Sequence, residues 1–240
     1  MPRVALITGG TRGIGAEISR GMQADGYDVV AGFHLNVERA QRFREETGID
    51  IMQFDVSDYG ACERAVHKLE EGHGPVDILI NNAGITHDVF LHRMPEEAWH
   101  EVIETNLTSC FNMCRVVIVK MRDRGFGRIV NVSSVNGQTG QIGQTNYAAA
   151  KAGILGFTKA LALENATKGI TVNAICPGYV DTEMVRAVPE RVQEAIKSKI
   201  PVGRFGNPKE ICHVVRFLVA DDACFVTGST VSVNGGQYMA

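Results

Sequence analysis

The 240-residue sequence holds one tryptophan, seven prolines and no Cys-x-x-Cys, and its six cysteines (62, 110, 114, 176, 212 and 224) are scattered. No histidine cluster sits beside them at metal-ligand spacing. A disulfide framework or a metal site is therefore not expected, and the thiols read as reduced and mostly buried. Blocks of charge are also missing: 24 Lys plus Arg face 27 Asp plus Glu, a formal charge of -3, with no run of one sign. Phosphate-backbone binding needs clustered cations, so nucleic acid is not an expected partner. No stretch approaches the ~18 apolar residues of a membrane span, and the apolar run in MPRVALITGG is too short for a signal peptide. The expectation is a cytoplasmic protein without a membrane partner.

What remains is the composition of an ordered globule, 45% hydrophobic and 21% charged. Short β-branched runs recur along it: VALIT (4–8), DVVAGF (28–33), IDIMQF (49–54), VDILIN (76–81), RIVNVS (128–133), ITVNAI (170–175) and TVSV (230–233). Between them lie amphipathic stretches at 15–24, 57–72, 95–124, 147–168 and 208–220. The runs are nearly continuous in apolar residues, as strands buried on both faces are. The expected fold is α/β, a single-domain Rossmann-like doubly wound parallel sheet with helices on both faces. No linker divides the chain, so residues 1–240 are expected to form one domain, about 1–90 its dinucleotide-binding half and 91–240 its catalytic and substrate half. The irregular stretch 177–208, with the charged helical pattern PERVQEAIKSK, is long enough to include a lid at about 180–208.

VALITGGTRGIGAEI reads as a buried strand, a glycine turn and a helix start. Gly9 would allow the tight turn, Gly13 a close approach of backbone to a pyrophosphate, and Gly15 close packing of helix on strand. The end of the second strand selects between dinucleotides. An acid there would hold a ribose 2′-hydroxyl, but in VVAGFHLNVERAQR none appears before Glu38. His34, Arg39 and, in the glycine turn, Arg12 are near instead, and an arginine fork suits a 2′-phosphate. NADPH/NADP+ is the expected cofactor, ahead of NAD(H).

After TGGTRGIG (8–15) come Asp55 behind the third strand, NNAG (81–84), Asn106 within TNLTS, Ser134, the pair Tyr147 and Lys151, and PGYVDT (177–182). With these motifs, in this order, the chain resembles the short-chain dehydrogenase/reductase family over essentially its whole length. The spacing of Tyr147 and Lys151, i and i+4, puts both on one helix face. An ammonium beside a phenol eases loss of its proton, here to a carbonyl oxygen as hydride reaches the carbon. The resemblance implies that Ser134 bonds the same oxygen, that Lys151 also holds the nicotinamide ribose, and that Asn106 holds the water returning the tyrosine's proton. Ser133 is a rival to Ser134; the family's spacing of thirteen residues before the tyrosine favours Ser134. The resemblance also places Asp55 and Val56 at the adenine, the backbone of Asn82, Ala83 and Gly84 along the cofactor, and Thr182 at the carboxamide. Ile14, Pro177, Gly178 and Val180 fall in the same cofactor-binding motifs. A homotetramer is expected, with 95–124, 147–168 and the strand near Val231 at its interfaces.

The run SSVNGQTGQIGQTNYAAAK (133–151) repeats Gly-Gln three times at an interval of three. Amides there can donate to a thioester carbonyl or a pantetheine amide without adding charge beside the Tyr-Lys pair. With NNAGITHD, CPGYVDTEMV and NGGQYM, the run looks like that of family members that reduce acetoacetyl-CoA to (R)-3-hydroxybutyryl-CoA for polyhydroxybutyrate synthesis. Asp88, Gln141, Gln144 and Tyr179 are the expected substrate contacts, and Gln138 is expected to be structural. Arg186, Arg191, Lys197 and Lys199 are available for the CoA phosphates. Two other readings stay open. One is a β-ketoacyl-acyl-carrier-protein reductase of fatty acid synthesis, for which Arg128 and Lys168 would dock the acidic carrier; the other is a non-catalytic NADP(H)-binding member of the family.

Overall fold

The computed structural model describes residues 2–239. Seven strands, β1 (Val4–Ile7), β2 (Asp28–Phe33), β3 (Asp50–Gln53), β4 (Val76–Asn81), β5 (Gly127–Val132), β6 (Ile170–Pro177) and β7 (Thr230–Val233), form one sheet in the order β3-β2-β1-β4-β5-β6-β7. Every pairing is parallel. The helices are α1 (Gly13–Ala24), α2 (Val37–Thr47), α3 (Tyr59–His73), α4 (Glu96–Ile103), α5 (Ser109–Arg124), α6 (Val135–Thr139), α7 (Thr145–Asn165), α8 (Glu183–Arg186), α9 (Glu190–Lys197) and α10 (Pro208–Val219).

The period of two in a strand explains why both faces are covered. In β1, Ala5 and Ile7 join one core with Ile18 and Met22 of α1 and Val215 and Leu218 of α10. Val4 and Leu6 join the opposite core with Leu69 of α3, Met113 and Val117 of α5 and Ala162 of α7. A Cβ at Gly21 would lie 2.3 Å from Cys212 Sγ, so glycine there lets α1 and α10 meet closely. Five cysteines are buried and Cys224 is exposed. Burial pushes the Cys62 thiol up to about 12 and Cys110 up to about 11, so both pack as neutral groups.

Three segments differ from the sequence expectation. The stretch 95–124 is not one α-helix: a π-turn, Glu104–Thr108, joins α4 to α5. Contrary to the sequence expectation, the combined run Glu96–Arg124 is also long and apolar enough to cross a membrane by length and composition, with an 18-residue window of mean hydropathy 1.2. Its Val102, Met113, Val117 and Met121 are nonetheless buried within the protein. Finally, 177–208 carries a short α8 besides α9, the helix expected from PERVQEAIKSK, and the Gly-Gln run contains α6.

α10 begins with a capping box: Asn207 accepts from Lys209 N at 2.9 Å, and Glu210 Oε2 accepts from Asn207 N at 2.7 Å. The Arg204 guanidinium, then the Asn207 N–H, hold the Glu210 carboxyl down from 4.5 to about 2. A carboxylate so lowered stabilises the fold above its ordinary range and stops doing so as pH falls through the lowered value. Because solvent screens the exposed pair with Arg204, Glu210→Ala should cost only roughly 0.2–1 kcal/mol at neutral pH. The gap between wild-type and variant urea midpoints should close as pH falls from 4.5 to about 2.

Candidate active site

Strand order reverses between β1 and β4, and a crevice at the carboxyl ends of an open parallel sheet opens at such a point. Thr8 Oγ1 accepts from the N–H groups of Asn82 and Ala83 at 3.0 and 3.1 Å. The Asn82 amide donates in return to the carbonyls of Thr8 and Gly9 at 3.0 and 3.2 Å. The two strand ends are thereby held together under the glycine turn. Gly9 and Gly13 take φ of 63° and 52°, and a Cβ on Gly15 would lie 2.2 Å from Gly9 O. No side chain caps α1 and no acid occupies its first turn, so its leading N–H groups face the crevice open to an anion. A turn that side chains would fill, below an uncapped helix start, fits the diphosphate of a dinucleotide.

Beside this turn lies a cavity of about 250 Å³. Ile14, Asn82 and Gly84 line it from the glycine side, and Pro177, Gly178, Val180 and Thr182 from the end of β6. Tyr147, Ser134 and Lys151 meet between them. Lys151 is 4% exposed; its Nζ donates to Val132 O at 2.8 Å and lies 5.6 Å from the Tyr147 ring centre. Ser134 caps α6, its Oγ accepting from Asn136 N at 3.1 Å. Ser133 is 3% exposed and donates its hydroxyl to Lys151 O at 2.7 Å, which commits it to the backbone. Tyr179 closes the far wall, where burial, followed by Asp88 and Tyr147, raises its phenol and keeps it neutral. One phenol, one hydroxyl and one ammonium converging on an apolar-walled cavity can polarise and protonate a carbonyl oxygen.

Other expected residues are placed differently. Asn106, fully buried in the π-turn, clamps Ile85: its Oδ1 accepts from Ile85 N at 2.8 Å and its Nδ2 donates to Ile85 O at 2.9 Å. Gln141 and Asp88 are exposed and stand outside the residues that line the cavity. Gln144 does line it, but its amide is engaged, donating to Asp88 Oδ2 at 2.7 Å and accepting from Asn136 at 2.9 Å. Gln138 is structural as expected, reaching Ser232 of β7 at 3.1 Å. Gly137 has a packing reason, since a Cβ there would lie 2.7 Å from the Lys151 carbonyl carbon.

Among the cations, Arg12 is exposed at the start of α1. His34 lies 3.7 Å from Asp55, and Arg39 is ion-paired to Glu183. Burial raises the Asp55 carboxyl, but the Ser57 N–H and hydroxyl, with His34, outweigh it and leave it lowered. Val56 is buried beside Asp55, its carbonyl taken by Asn112 at 3.0 Å. Arg128 corrects another expectation: it is 4% exposed, bonds Gly127 O and Gly169 O, and lies over the Phe126 ring, so it is not a free docking cation. Arg186 is held by Asp181 at 2.7 and 3.0 Å, and Lys197 by Glu194 at 2.7 Å.

Two positioning residues escape sequence reasoning. Thr8 was legible only as part of the glycine motif. Asn146 is fully buried, donates to His87 O and Ala98 O, and accepts from Tyr147 N at 2.8 Å, fixing the start of α7 beside the phenol. Its signal was nothing more than an amide next to the tyrosine.

Known proteins match this arrangement end to end. An acetoacetyl-CoA reductase of Rhizobium meliloti (strain 1021) is 61% identical, with 100% of each chain covered. An acetoacetyl-CoA reductase of Cupriavidus necator is 48% identical over 99% of this chain and 98% of its own. A 3-oxoacyl-acyl-carrier-protein reductase of Escherichia coli (strain K12) is 43% identical over the same shares, 99% and 98%. A sequence model described as short chain dehydrogenase covers residues 3–193, from β1 through the tyrosine helix and into α9. With its doubly wound sheet and its Ser134, Tyr147 and Lys151 in one cavity, this chain belongs to the short-chain dehydrogenase family, oxidoreductases that work with a nicotinamide cofactor.

Proposed function

We propose that the protein reduces acetoacetyl-CoA to (R)-3-hydroxybutyryl-CoA with NADPH. The observation that carries this reading is the meeting of Tyr147, Ser134 and Lys151 in one cavity beside an uncapped helix start. The bound cofactor supplies a hydride to the ketone carbon. Tyr147 gives its proton to the ketone oxygen, Ser134 donates a hydrogen bond to that oxygen, and Lys151 stabilises the phenolate left behind. The proton is then restored from water. The glycine turn would hold the diphosphate, Asp55 and Val56 the adenine, Thr182 the carboxamide, and Arg12, His34 and Arg39 the 2′-phosphate.

The thioester end is read as CoA. Relatives named acetoacetyl-CoA reductase at 48–61% identity support this over the carrier-protein relative at 43%. The test is to compare steady-state rates on acetoacetyl-CoA and acetoacetyl-carrier protein, each with NADPH and with NADH. The CoA substrate with NADPH should lead by more than about tenfold in kcat/KM, a difference of ~1.4 kcal/mol. Equal efficiency on the carrier protein would overturn the substrate assignment.

Gln144 holds Asp88 and Asn136 together at the cavity wall, so Gln144→Ala should raise KM for acetoacetyl-CoA by about tenfold with little change in NADPH affinity. Gln141→Ala should leave both within twofold, as an exposed side chain outside the cavity would. Exposed Phe111 and Val119 on α5 and Leu163 on α7 offer the apolar surface for the proposed homotetramer in the cytoplasm.

A further inference from the structure

Arg39, one of the three cations assigned above to the 2′-phosphate, already has an anion. Its Nη2 donates to Glu183 Oε1 at 2.5 Å, across 144 residues of sequence. Arg39 stands in the first turn of α2, just past the end of β2, while Glu183 opens α8, on the segment that leaves β6. The pair therefore bridges the two banks of the crevice. It crosses near the glycine turn, where a Cβ on Gly13 would come within 3.7 Å of Thr182 Cγ2. The other cation of α8 cannot substitute, because Arg186 is held in a two-pronged bond by Asp181.

The segment so tethered also touches the reaction site. Thr182 and Val185, on either side of the tether, both line the cavity that holds Tyr147. The Glu183 side chain is 71% exposed, and an ion pair in such a setting is weak. A phosphate monoester carries nearly twice the charge of a carboxylate at neutral pH and offers three acceptor oxygens to the same guanidinium. In a contest for Arg39 the phosphate wins.

We infer that Glu183 is a built-in stand-in for the ribose 2′-phosphate: it occupies Arg39 and ties α8 across the crevice until the phosphate of the cofactor displaces it. The exchange releases α8 on the substrate side, so arrival of the phosphorylated dinucleotide is communicated to the wall of the cavity. A dinucleotide with a free 2′-hydroxyl lacks the charge to break the pair and leaves α8 tied. Because the contest lowers the affinity of the phosphate for Arg39, removing the acid strengthens phosphate binding, and the linkage is reciprocal. This inference rests on the assignment of Arg39 to the 2′-phosphate.

The probes are adenosine 2′,5′-bisphosphate and adenosine 5′-monophosphate, titrated calorimetrically into the full-length protein and into Glu183→Gln. The bisphosphate should bind the variant about two- to fivefold more tightly than the wild type, the range set by an exposed ion pair, with the monophosphate unchanged. In hydrogen exchange, the bisphosphate should speed exchange at 183–188 in the wild type, whereas in the variant exchange there should be fast from the start. Equal or weaker bisphosphate binding by the variant, or wild-type exchange that stays the same or slows, overturns the inference. Arg39→Gln separates the two layers: if it leaves bisphosphate binding intact, the 2′-phosphate assignment fails and the stand-in with it. If it weakens binding while Glu183→Gln has no effect, only the stand-in fails.

Discussion

Tyr147→Phe should lower kcat for acetoacetyl-CoA reduction by about a thousandfold or more, within or above the range of a lost general acid. The substitution removes one oxygen and keeps the ring, so the apolar contacts of the side chain survive. The hydroxyl has no hydrogen bond to another described residue, and its removal leaves no stranded partner. Neither neighbour is an equivalent acid: an aliphatic serine hydroxyl is far less acidic than a phenol, and the Lys151 ammonium lies 5.6 Å from the ring centre, anchored to Val132 O. Cofactor binding, followed by nucleotide fluorescence, should stay within a few-fold of the wild type, because the glycine turn and β6 contacts are untouched. Turnover retained by the phenylalanine variant would remove the acid role from Tyr147 and with it the proposed mechanism.

Gly15→Ala should damage both stability and cofactor binding. The added methyl would sit 2.2 Å from Gly9 O and 2.5 Å from Asn82 Nδ2, and neither can retreat freely. Gly9 belongs to a left-handed turn, and Asn82 is bonded to the carbonyls of Thr8 and Gly9 that join β1 to β4. Relief requires α1 to move off the sheet or the turn to open. Overpacking of this kind costs about 1–3 kcal/mol, and a broken Asn82 bond adds about 1 kcal/mol. For a chain of this size the melting temperature should drop by roughly 5–15 °C. Gly72 is the control. It lies within α3, and a Cβ there would meet nothing within 4 Å, so Gly72→Ala should leave stability equal or raise it by up to about 1 kcal/mol.

These contrasts mark what was legible beforehand. The inner strands β1, β2, β4, β5 and β6 were readable because a strand buried on both faces is apolar at nearly every position, the partly buried edge strands β3 and β7 from short β-branched runs, and the glycine turn because its spacing is local. The catalytic pair was readable for the same reason, since four residues along a helix is a contact by construction. Long-range partners were not. Nothing in the order of residues says that Arg39 meets Glu183, that Asn146 reaches back to Ala98, or that Gln144 answers to Asp88. Arg128 misled for a related reason: a charged head at the start of a strand looks solvated until the chain folds Gly169 and Phe126 around it. The placement of Gln141 was not legible either, because Gly140 and Gly143, at φ of 74° and 78°, turn the backbone between the amides.

The π-turn at Glu104–Thr108 can be viewed as a correction of phase. Buried residues recur every four positions along this run, at Ala98, Val102, Asn106, Cys110 and Cys114. An α-helix advances about 400° in four residues, so such a seam would drift about 40° per step and spiral away from its neighbours. The wider turn winds fewer degrees per residue and takes much of that drift back. Removing one residue from 104–108 would thus act as a rotation more than as a shortening, swinging α4 by about 100° relative to α5. Ala98 O would leave Asn146, and the residue that seats the Tyr147 backbone would lose one of its two anchors. The angular setting of one helix is in this way keyed to the position of a phenol on another.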